Sequence, residues 1–284
     1  MAVILDGKEV SKRVREGLKA EIDGVSAKVG RPPSIAVILV GNNPASMVYV
    51  RNKHKACAKA GINSIKLELP KETSEKELLE KIDELNHDST VDAILVQLPL
   101  PKQIDSWKIL EAVSPEKDAD GFHPLNVGRL SIGLPATKSC TPAGIIKLLD
   151  EYKISIEGKE AVIIGRSNIV GKPLIQLLLA RNATVTTCHS RTWDLPGVCR
   201  RADILIAATG KPKMVTKEFV KEGAVVVDVG ISTLSDGSLS GDVNFDEVEP
   251  IASAITPVPG GIGPMTIAML LFNTVELYLR KFER

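Results

Sequence analysis

The hydrophobic residues of this chain fall into short, nearly continuous runs that are separated by stretches of helical length. The run from Ile35 to Val40 has no polar position. Strands that are covered on both faces have this pattern, and such strands are typical of parallel sheets. The pattern predicts strands at residues 34–40, 64–69, 92–98, 161–165, 184–188, 203–209, 224–229 and 252–256. Their alternation with helical segments predicts an α/β fold with parallel sheets and right-handed crossovers.

The helix that follows the first of these strands has both ends marked by residue type. Asn43 can accept a hydrogen bond from the first turn, and Pro44 suits the first helical position. Gly61 suits the exit from the helix. Another helix is predicted to begin at Thr141-Pro142, between the two halves of the chain.

The length of the chain indicates two domains, because 284 residues are too many for one typical core. Residues 113–139 are rich in Pro, Gly and Asp and have little periodicity, which predicts long loops between two α/β units. We therefore place one domain at residues 1–140 and a second at residues 141–264. The last predicted helix, within residues 265–284, is expected to pack back on the first domain.

Charge and composition exclude several classes of partner. The chain has 36 Lys and Arg against 35 Asp and Glu, and its 44% of hydrophobic residues is typical of a globular protein. A net charge of +1 gives no reason to expect a nucleic acid or a membrane as partner. The N-terminus has no basic segment and an acid at Asp6, so we expect no secretory signal and a cytoplasmic location.

The cysteines and histidines have no metal-binding spacing. Cys57, Cys140, Cys188 and Cys199 form no Cys-x-x-Cys pair. Their apolar neighbours indicate buried free thiols in a reducing compartment. The four histidines are scattered, and the sequence predicts no metal site.

A candidate dinucleotide-binding turn follows the predicted strand at 161–165. Gly165 and Gly171 border a tight turn before a helix, where glycine allows the backbone to approach a phosphate and the helix offers free N–H groups. Ser167 occupies the position of the second glycine of the usual motif, so an ordinary βα turn is an equal alternative. A hydrolase nucleophile elbow is disfavoured because residue 169 is Ile.

The end of the next predicted strand favours NADP over NAD. NAD-binding folds usually place a carboxylate there, about 20 residues after the turn, to hold the ribose hydroxyls. Here the strand ends in His189-Ser190-Arg191, and no acid appears before Asp194. Ser190 can donate a hydrogen bond to a 2′-phosphate, and Arg191 or Arg166 can pair with its charge.

Further strands of this half end in small or turn residues. The carboxyl ends of strands in an open parallel sheet line its ligand crevice. Small residues at these ends would allow a ligand to lie close to the backbone. The positions are Thr209-Gly210, Val229-Gly230-Ile231 and Thr256-Pro257.

Polar residues of the N-terminal half form a second candidate site. Tyr49 and Lys53 share one face of the helix that Asn43 caps. Gln97 is a polar residue near the end of an otherwise apolar strand, and a buried amide must find partners. Asp120 lies in an Asp-Gly turn. Each has an alternative interpretation. Lys53 could belong to a solvated basic face, Gln97 could make a core hydrogen bond, and Asp120 could lie in an ordinary turn.

Several long segments carry a resemblance to a known family. They are Tyr49-Val50-Arg51-Asn52-Lys53-His54-Lys55, Val96-Gln97-Leu98-Pro99-Leu100-Pro101, Lys117-Asp118-Ala119-Asp120-Gly121, Gly165-Arg166-Ser167-Asn168-Ile169-Val170-Gly171-Lys172-Pro173 and Thr256-Pro257-Val258-Pro259-Gly260-Gly261-Ile262-Gly263-Pro264-Met265-Thr266. The chain resembles the bifunctional methylenetetrahydrofolate dehydrogenase/cyclohydrolase family over essentially its whole length. One departure is Ser139, where the family commonly has proline before Cys-Thr-Pro.

The resemblance implies a fold, an assembly and a set of site residues. The fold is two three-layer α/β domains with a cleft between them, the C-terminal one a Rossmann-like NADP-binding domain, in a homodimer. Lys53 is implied as the central catalytic residue, with Gln97 supporting it and Asp120 hydrogen-bonding the pterin. The folate site is implied to include Tyr49, Val96, Leu98, Pro259, Gly260, Gly261, Ile262 and Gly263. The NADP site is implied to include Gly165, Arg166, Ser167, Ser190 and Ile231. The strand ends described above add Arg191, Thr209, Gly210 and Gly230 as candidates for the same site.

The implied activity has two steps. Oxidation of 5,10-methylenetetrahydrofolate with NADP gives a cationic methenyl group, and water then opens the ring to 10-formyltetrahydrofolate. The product belongs to one-carbon metabolism and purine biosynthesis. Another NADP-dependent two-domain dehydrogenase, a monofunctional member of the family and an inactive folate- or nucleotide-binding module are the alternatives on sequence.

Overall fold

A computed structural model describes residues 1–282 of the chain and divides them into two compact units. Unit 1 consists of residues 1–12 and 139–266, and unit 2 of residues 13–138 and the described residues from 267 onwards. Both units are α/β with parallel main sheets, as the alternation of apolar runs predicts.

The strands and helices alternate along most of the described chain. The strands are β1 (Val3–Ile4), β2 (Ser34–Val40), β3 (Asn63–Leu69), β4 (Ala93–Val96), β5 (Glu160–Ile164), β6 (Thr184–Cys188), β7 (Ile204–Ala207), β8 (Val225–Asp228), β9 (Ser232–Thr233), β10 (Leu239–Ser240) and β11 (Ala254–Ile255). The helices are α1 (Gly7–Val29), α2 (Pro44–Ala60), α3 (Glu75–His87), α4 (Ser106–Ala112), α5 (Pro124–Ser131), α6 (Cys140–Glu151), α7 (Gly171–Leu179), α8 (Leu195–Cys199), α9 (Phe245–Val248) and α10 (Ile262–Arg280), and a 3-10 helix occupies Lys217–Phe219.

Unit 2 is built on a three-stranded parallel sheet in the order β3-β2-β4. Every residue of β2 is buried, which explains its uninterrupted apolar sequence. Leu78 and Ile82 of α3 and Ile109 of α4 pack against Ile38 and Ile94 of the sheet. The helices therefore cover the apolar interiors of the strands, and polar side chains such as Gln97 lie at the strand ends.

Helix α2 begins and ends where its sequence predicts. The Asn43 side chain accepts a hydrogen bond from the Ser46 N–H at 3.1 Å, and Pro44 is the first helical residue. Gly61 ends the helix in the left-handed conformation, with φ 81°. These caps fix the position of the side chains that α2 carries at the carboxyl end of β2.

Unit 1 contains a six-stranded parallel sheet in the order β1-β11-β8-β7-β5-β6. Strand β1 comes from the N-terminus: the Val3 N–H donates to Ser253 O at 2.9 Å and the Leu5 N–H to Ile255 O at 2.8 Å. Residues 1–12 therefore lie in unit 1, whereas the sequence placed them with residues 13–140. A strand of two residues is too short to leave a periodic signal.

The C-terminal part of α10 is anchored within unit 2. Asn273 Nδ2 donates to Ala119 O at 2.8 Å, and the Tyr278 hydroxyl donates to Arg31 O at 2.7 Å. By length and composition α10 could cross a membrane, but 61% of its most apolar window is buried in the fold, as in a core helix. Residues 283–284, part of the helical segment predicted at 265–284, lie outside the described residues.

Helix α5 lies within residues 113–139, where the sequence predicts only loops. His123 caps it by accepting a hydrogen bond from the Leu125 N–H at 3.0 Å, and Pro124 is its first residue. Its one buried residue is Asn126, and Leu125 is exposed. The helix was missed because eight residues span only about two turns, too few for a helical period to stand out in a segment rich in Pro and Gly.

The four cysteines are buried and free, as their apolar neighbours indicate. No group of three or more His, Cys, Asp or Glu side chains within residues 1–282 is placed to hold a metal ion.

Candidate active site

Lys53 lies on the buried face of α2. Its neighbours Arg51 and Lys55 are exposed, whereas Lys53 is only 8% exposed and shares its face with Val50 and Cys57. A lysine is rarely buried to this degree unless its ammonium has a partner. The solvated basic face considered from the sequence therefore applies to the neighbours of Lys53 and not to Lys53 itself.

The partner of Lys53 is Gln97, which follows β4 directly. Gln97 Oε1 accepts a hydrogen bond from Lys53 Nζ at 3.0 Å, and Gln97 Nε2 donates to Leu98 O at 2.6 Å. The backbone N–H of Gln97 donates to Ile38 O at 2.9 Å, which keeps the residue in register with β2. The amide therefore holds Nζ of Lys53 through an oxygen that carries no charge.

Tyr49 presents an aromatic ring one helical turn before Lys53. The side chain is 40% exposed, and it follows the exposed Met47 and Val48 along α2. On the strand side, Val96 is buried and Leu98 is half-buried. The surroundings of the Lys53–Gln97 pair thus combine one polar contact with an aromatic ring and aliphatic side chains.

The turn that carries Asp120 is built around Asp118, a residue that the sequence reasoning did not select. An isolated parallel β-bridge between Ile94 and Asp118 aligns this segment with β4. The buried Asp118 carboxylate accepts hydrogen bonds from the Gly121 N–H at 3.0 Å and the His123 N–H at 2.9 Å. An Asp three residues before a Gly is the sequence signal for such a turn.

Other reactive groups near Lys53 are held in their neutral forms. Burial raises the pKa of the Cys57 thiol to about 11, although the charge of Lys53 acts in the opposite direction. Burial and the charge of Lys66 lower the pKa of His54, whose Nδ1 lies 2.7 Å from the Ser64 hydroxyl. Both shifts favour the uncharged forms, the neutral thiol of Cys57 and the neutral imidazole of His54.

In unit 1, the turn between β5 and α7 requires its first glycine. Gly165 has φ 139°, and a Cβ at this position would lie 2.3 Å from Ala208 O. Ser167 Oγ accepts hydrogen bonds from the Val170 N–H at 3.1 Å and the Gly171 N–H at 3.4 Å. Ser167 therefore shapes the turn into α7 with its hydroxyl, where the usual motif has a second glycine.

A cavity of about 250 Å³ adjoins this turn within unit 1. Its polar and glycine lining brings together residues from the ends of β5, β6 and β7, namely Gly165, Arg166, His189, Ser190, Thr209 and Lys211. No acidic side chain is among the lining residues. Lys211 was missed from the sequence, although it directly follows the predicted Thr209-Gly210 turn, and Arg191 is not part of the lining.

The glycine-rich loop after β11 also lies in unit 1. It is closed by a hydrogen bond from the Gly261 N–H to Pro257 O at 2.8 Å, and Gly260 O accepts one from the Lys8 N–H at 2.9 Å. A Cβ on Gly263 would lie 3.2 Å from Ile231 Cδ1. A residue predicted for folate and one predicted for the cofactor are therefore neighbours.

The structure thus places the predicted site residues in two groups. One group lies in unit 2, at the ends of its strands and on α2: Tyr49, Lys53, Val96, Gln97, Leu98 and Asp120. The other lies in unit 1 and contains all predicted cofactor residues together with Pro259, Gly260, Gly261, Ile262 and Gly263.

Comparisons with known proteins match both units. Residues 5–120 match the model of the tetrahydrofolate dehydrogenase/cyclohydrolase catalytic domain, and residues 139–282 that of the NAD(P)-binding domain. The bifunctional protein FolD of Maridesulfovibrio salexigens is 57% identical over 279 residues, which cover 97% of each chain.

Solved structures resemble the whole chain. The bifunctional FolD methylenetetrahydrofolate dehydrogenase/cyclohydrolase of Campylobacter jejuni has a TM-score of 0.97 at 50% identity, covering 99% of this chain and 100% of that one. The Trypanosoma brucei methylenetetrahydrofolate dehydrogenase-cyclohydrolase, solved with NADP cofactor and an inhibitor, has a TM-score of 0.95 at 38% identity, covering 100% and 99%.

Proposed function

The chain belongs to the tetrahydrofolate dehydrogenase/cyclohydrolase family, and from this premise we propose which of its residues carry out the two reactions. The protein is a bifunctional enzyme: it oxidises 5,10-methylenetetrahydrofolate with NADP and hydrolyses the methenyl product to 10-formyltetrahydrofolate. The observation that carries the assignment of residues is the hydrogen bond between the buried Lys53 and Gln97.

The lining of the cavity beside Gly165 suits the phosphate-bearing part of a dinucleotide. Its basic side chains and the lack of an acid in its lining suit a 2′-phosphate, with Arg166 and Lys211 pairing with the charge and Ser190 donating a hydrogen bond. Gly165 allows the tight turn after β5, because a Cβ there would collide with Ala208 O, and this turn brings the start of α7 towards the ligand. When bound, NADP supplies the hydride acceptor, and the residues of unit 1 bind and orient it.

The folate ring system is held by groups of different kinds. The exposed Tyr49 ring stacks on the flat substrate, and Asp120 hydrogen-bonds the pterin. Val96 and Leu98 of unit 2 provide apolar contacts. These contacts orient the methylene carbon for hydride loss, a step that needs positioning and no acid or base from the protein.

Lys53 moves the protons of the hydrolytic step at its Nζ atom. Water adds to the cationic methenyl carbon and loses one proton, which leaves a neutral hydroxyl adduct. The ring then opens as a carbon–nitrogen bond breaks and that nitrogen gains a proton, while the hydroxyl loses its remaining proton to solvent and becomes the formyl carbonyl. The Lys53 amine accepts the first proton and returns the second. Gln97 orients Nζ for this exchange through a neutral oxygen, which favours the charged form of an amine less than a carboxylate would.

The assignment is tested by adding methylenetetrahydrofolate with NADP, and then with NAD, and following the methenyl absorbance. We expect oxidation with NADP and subsequent decay of the absorbance as the methenyl product is hydrolysed. Absence of any methenyl signal would favour a different NADP-dependent dehydrogenase, and binding of both ligands without turnover would favour an inactive module. Oxidation without decay would indicate a monofunctional enzyme.

We also propose that the protein is a homodimer in the cytoplasm and that its product supplies purine biosynthesis. The similarity to bifunctional FolD proteins over nearly the whole chain supports this assignment. Size-exclusion chromatography with light scattering measures the assembly, and a monomeric mass at micromolar concentration would contradict it.

A further inference from the structure

A buried carboxylate holds the turn that follows β7. Asp242 is 0% exposed, and its Oδ2 accepts hydrogen bonds from the Thr209 N–H at 2.5 Å and the Gly210 N–H at 3.0 Å. Both donors belong to residues of the proposed cofactor site. The carboxylate lies beneath their backbone and fixes it from the protein interior.

A second buried carboxylate holds the turn that follows β8 and also Asp242 itself. Asp228 is 3% exposed, and its Oδ1 accepts hydrogen bonds from the N–H groups of Gly230 and Asp242, both at 2.9 Å. Its Oδ2 accepts one from the Val243 N–H at 2.8 Å. Through this chain of contacts, the backbone of Gly230 and that of Thr209 are tied to the same pair of acids.

Packing alone does not explain two adjacent buried acids. Asp242 Oδ1 has no hydrogen-bond partner among the residues that the structure describes. Burial, with the negative charge of Asp242 nearby, raises the pKa of Asp228 to about 6 although three backbone N–H groups stabilise its charge. Apolar residues of similar size would fill this space at a lower electrostatic cost, so the side-chain oxygens contribute hydrogen-bond acceptors that apolar packing does not.

We propose that Asp242, held in place by Asp228, is a positioning residue for NADP. It acts through the backbone of Thr209 and Gly210 and sets their position relative to Gly230, so that the strand ends present a preformed edge to the cofactor. A Cβ on Gly230 would lie 2.2 Å from Asp242 Oδ1, which shows how closely the second turn packs on the same carboxylate. This inference rests on the proposed function of unit 1.

Three variants separate geometry from charge. Asp242→Asn keeps an oxygen for both N–H donors, and its amide NH₂ replaces Oδ1, which has no donor facing it. Asp242→Ala removes the acceptor altogether. Asp228→Asn must place its NH₂ against a backbone N–H, because both Asp228 oxygens accept hydrogen bonds. The proposal therefore predicts that Asn is tolerated at 242 and not at 228.

The experiment measures KM and kcat for NADP in the dehydrogenase reaction and the Kd for NADP by direct titration. We expect Asp242→Ala to raise KM and Kd about tenfold and to lower kcat less than about threefold, the loss of about one or two buried hydrogen bonds. Asp242→Asn should stay within about twofold of wild type, and Asp228→Asn should resemble Asp242→Ala. The matched control is Asp236→Asn, an exposed acid whose carboxylate accepts a hydrogen bond from the Ser238 N–H.

Two results would overturn the inference. One is an unchanged KM and Kd in Asp242→Ala, and the other is an equal loss in Asp242→Asn and Asp242→Ala. Hydrolysis of methenyltetrahydrofolate without NADP reports whether each variant is folded. If Asp242→Ala is not folded, the Kd values of Asp242→Asn and Asp228→Asn decide, because equal values would contradict the inference. If wild type binds NADP but does not oxidise the folate, the proposed reaction fails while the Kd series still tests the inference.

Discussion

The two groups of site residues are built in opposite ways. In unit 2 the chemistry resides in side chains, because Lys53 and Gln97 meet through a single hydrogen bond between a helix and a strand end. In unit 1 the site is largely backbone, shaped by Gly165 and by turns that buried acids hold from below. We therefore expect single substitutions to abolish a reaction in unit 2, and to weaken binding by degrees in unit 1.

The largest effect is expected for Lys53→Met. The substitution keeps most of the buried side-chain volume and removes the proton-transfer group, so hydrolysis should fall about 10²- to 10⁴-fold. The measurement is the decay of the methenyl absorbance with methenyltetrahydrofolate as the only substrate and no NADP present. Lys55→Met, an exposed lysine on the same helix, is the matched control and should retain wild-type hydrolysis. A Lys53→Met enzyme that hydrolyses within about twofold of wild type would remove this residue from the mechanism.

The next effect is expected for Gly165→Ala, which tests the backbone character of the other site. Its Cβ would collide with Ala208 O, and alanine disfavours φ 139°, so we expect a loss of stability of about 1–3 kcal/mol and weaker NADP binding. Urea unfolding and NADP titration measure the two effects. Gly128→Ala, in α5 with open space around the new methyl group, is the control and should not destabilise. Equal stability of the two variants would show that the turn tolerates a side chain.

A smaller and more selective effect is expected for the basic groups of the cavity. Arg166→Ala should lower kcat/KM with NADP about 10- to 100-fold, the contribution of a charge-assisted hydrogen bond, and change the NAD reaction much less. Lys211→Ala should act in the same direction but more weakly. Arg191→Ala is informative because Arg191 does not line the cavity. If Arg191→Ala reduces the NADP preference more than Arg166→Ala does, the phosphate lies elsewhere.

The sequence predicts those parts of the fold in which one local signal is strong. The bounds of β2 follow from an unbroken apolar run, and those of α2 from its caps. The Lys53–Gln97 pair could be anticipated because a polar residue at the end of an apolar strand requires a partner. In each case the information is contained in a few neighbouring residues.

What the sequence could not predict depends on contacts between distant residues. Strand β1 exists only because β11 offers it hydrogen bonds, and α5 is too short to show a helical period. Asp242 is indistinguishable from any other loop acid until the fold places the Thr209 and Gly210 N–H groups on its oxygen. The positioning groups of unit 1 are therefore harder to find from sequence than the catalytic side chains of unit 2.

The smallest expected effect concerns the pH dependence of stability that the buried acids cause. Burial raises the pKa of Asp228 to about 6 in the folded protein, above the ordinary aspartate value of 3.8 that applies to the unfolded chain. Between these values the folded protein binds more protons than the unfolded one, so this group lowers the free energy of unfolding as the pH rises. Exposed acids with lowered pKa values have the opposite effect. One of them is Asp236, whose pKa the Ser238 hydrogen bonds lower.

Asp242→Asn tests this sign, because it removes the negative charge that helps to raise the pKa of Asp228. Relative to wild type, the variant should gain stability as the pH rises from about 4 to 7, by less than about 1.4 kcal/mol, the equivalent of one pKa unit. Urea unfolding of both proteins at several pH values measures the difference, in which titrations common to both cancel. Asp236→Asn should change in the opposite direction and lose relative stability as the pH rises. If the difference in free energy of unfolding between Asp242→Asn and wild type did not change with pH, the two carboxylates would not interact. The buried acids of unit 1 would then act only as hydrogen-bond acceptors, as the neutral amide of Gln97 does beside Lys53.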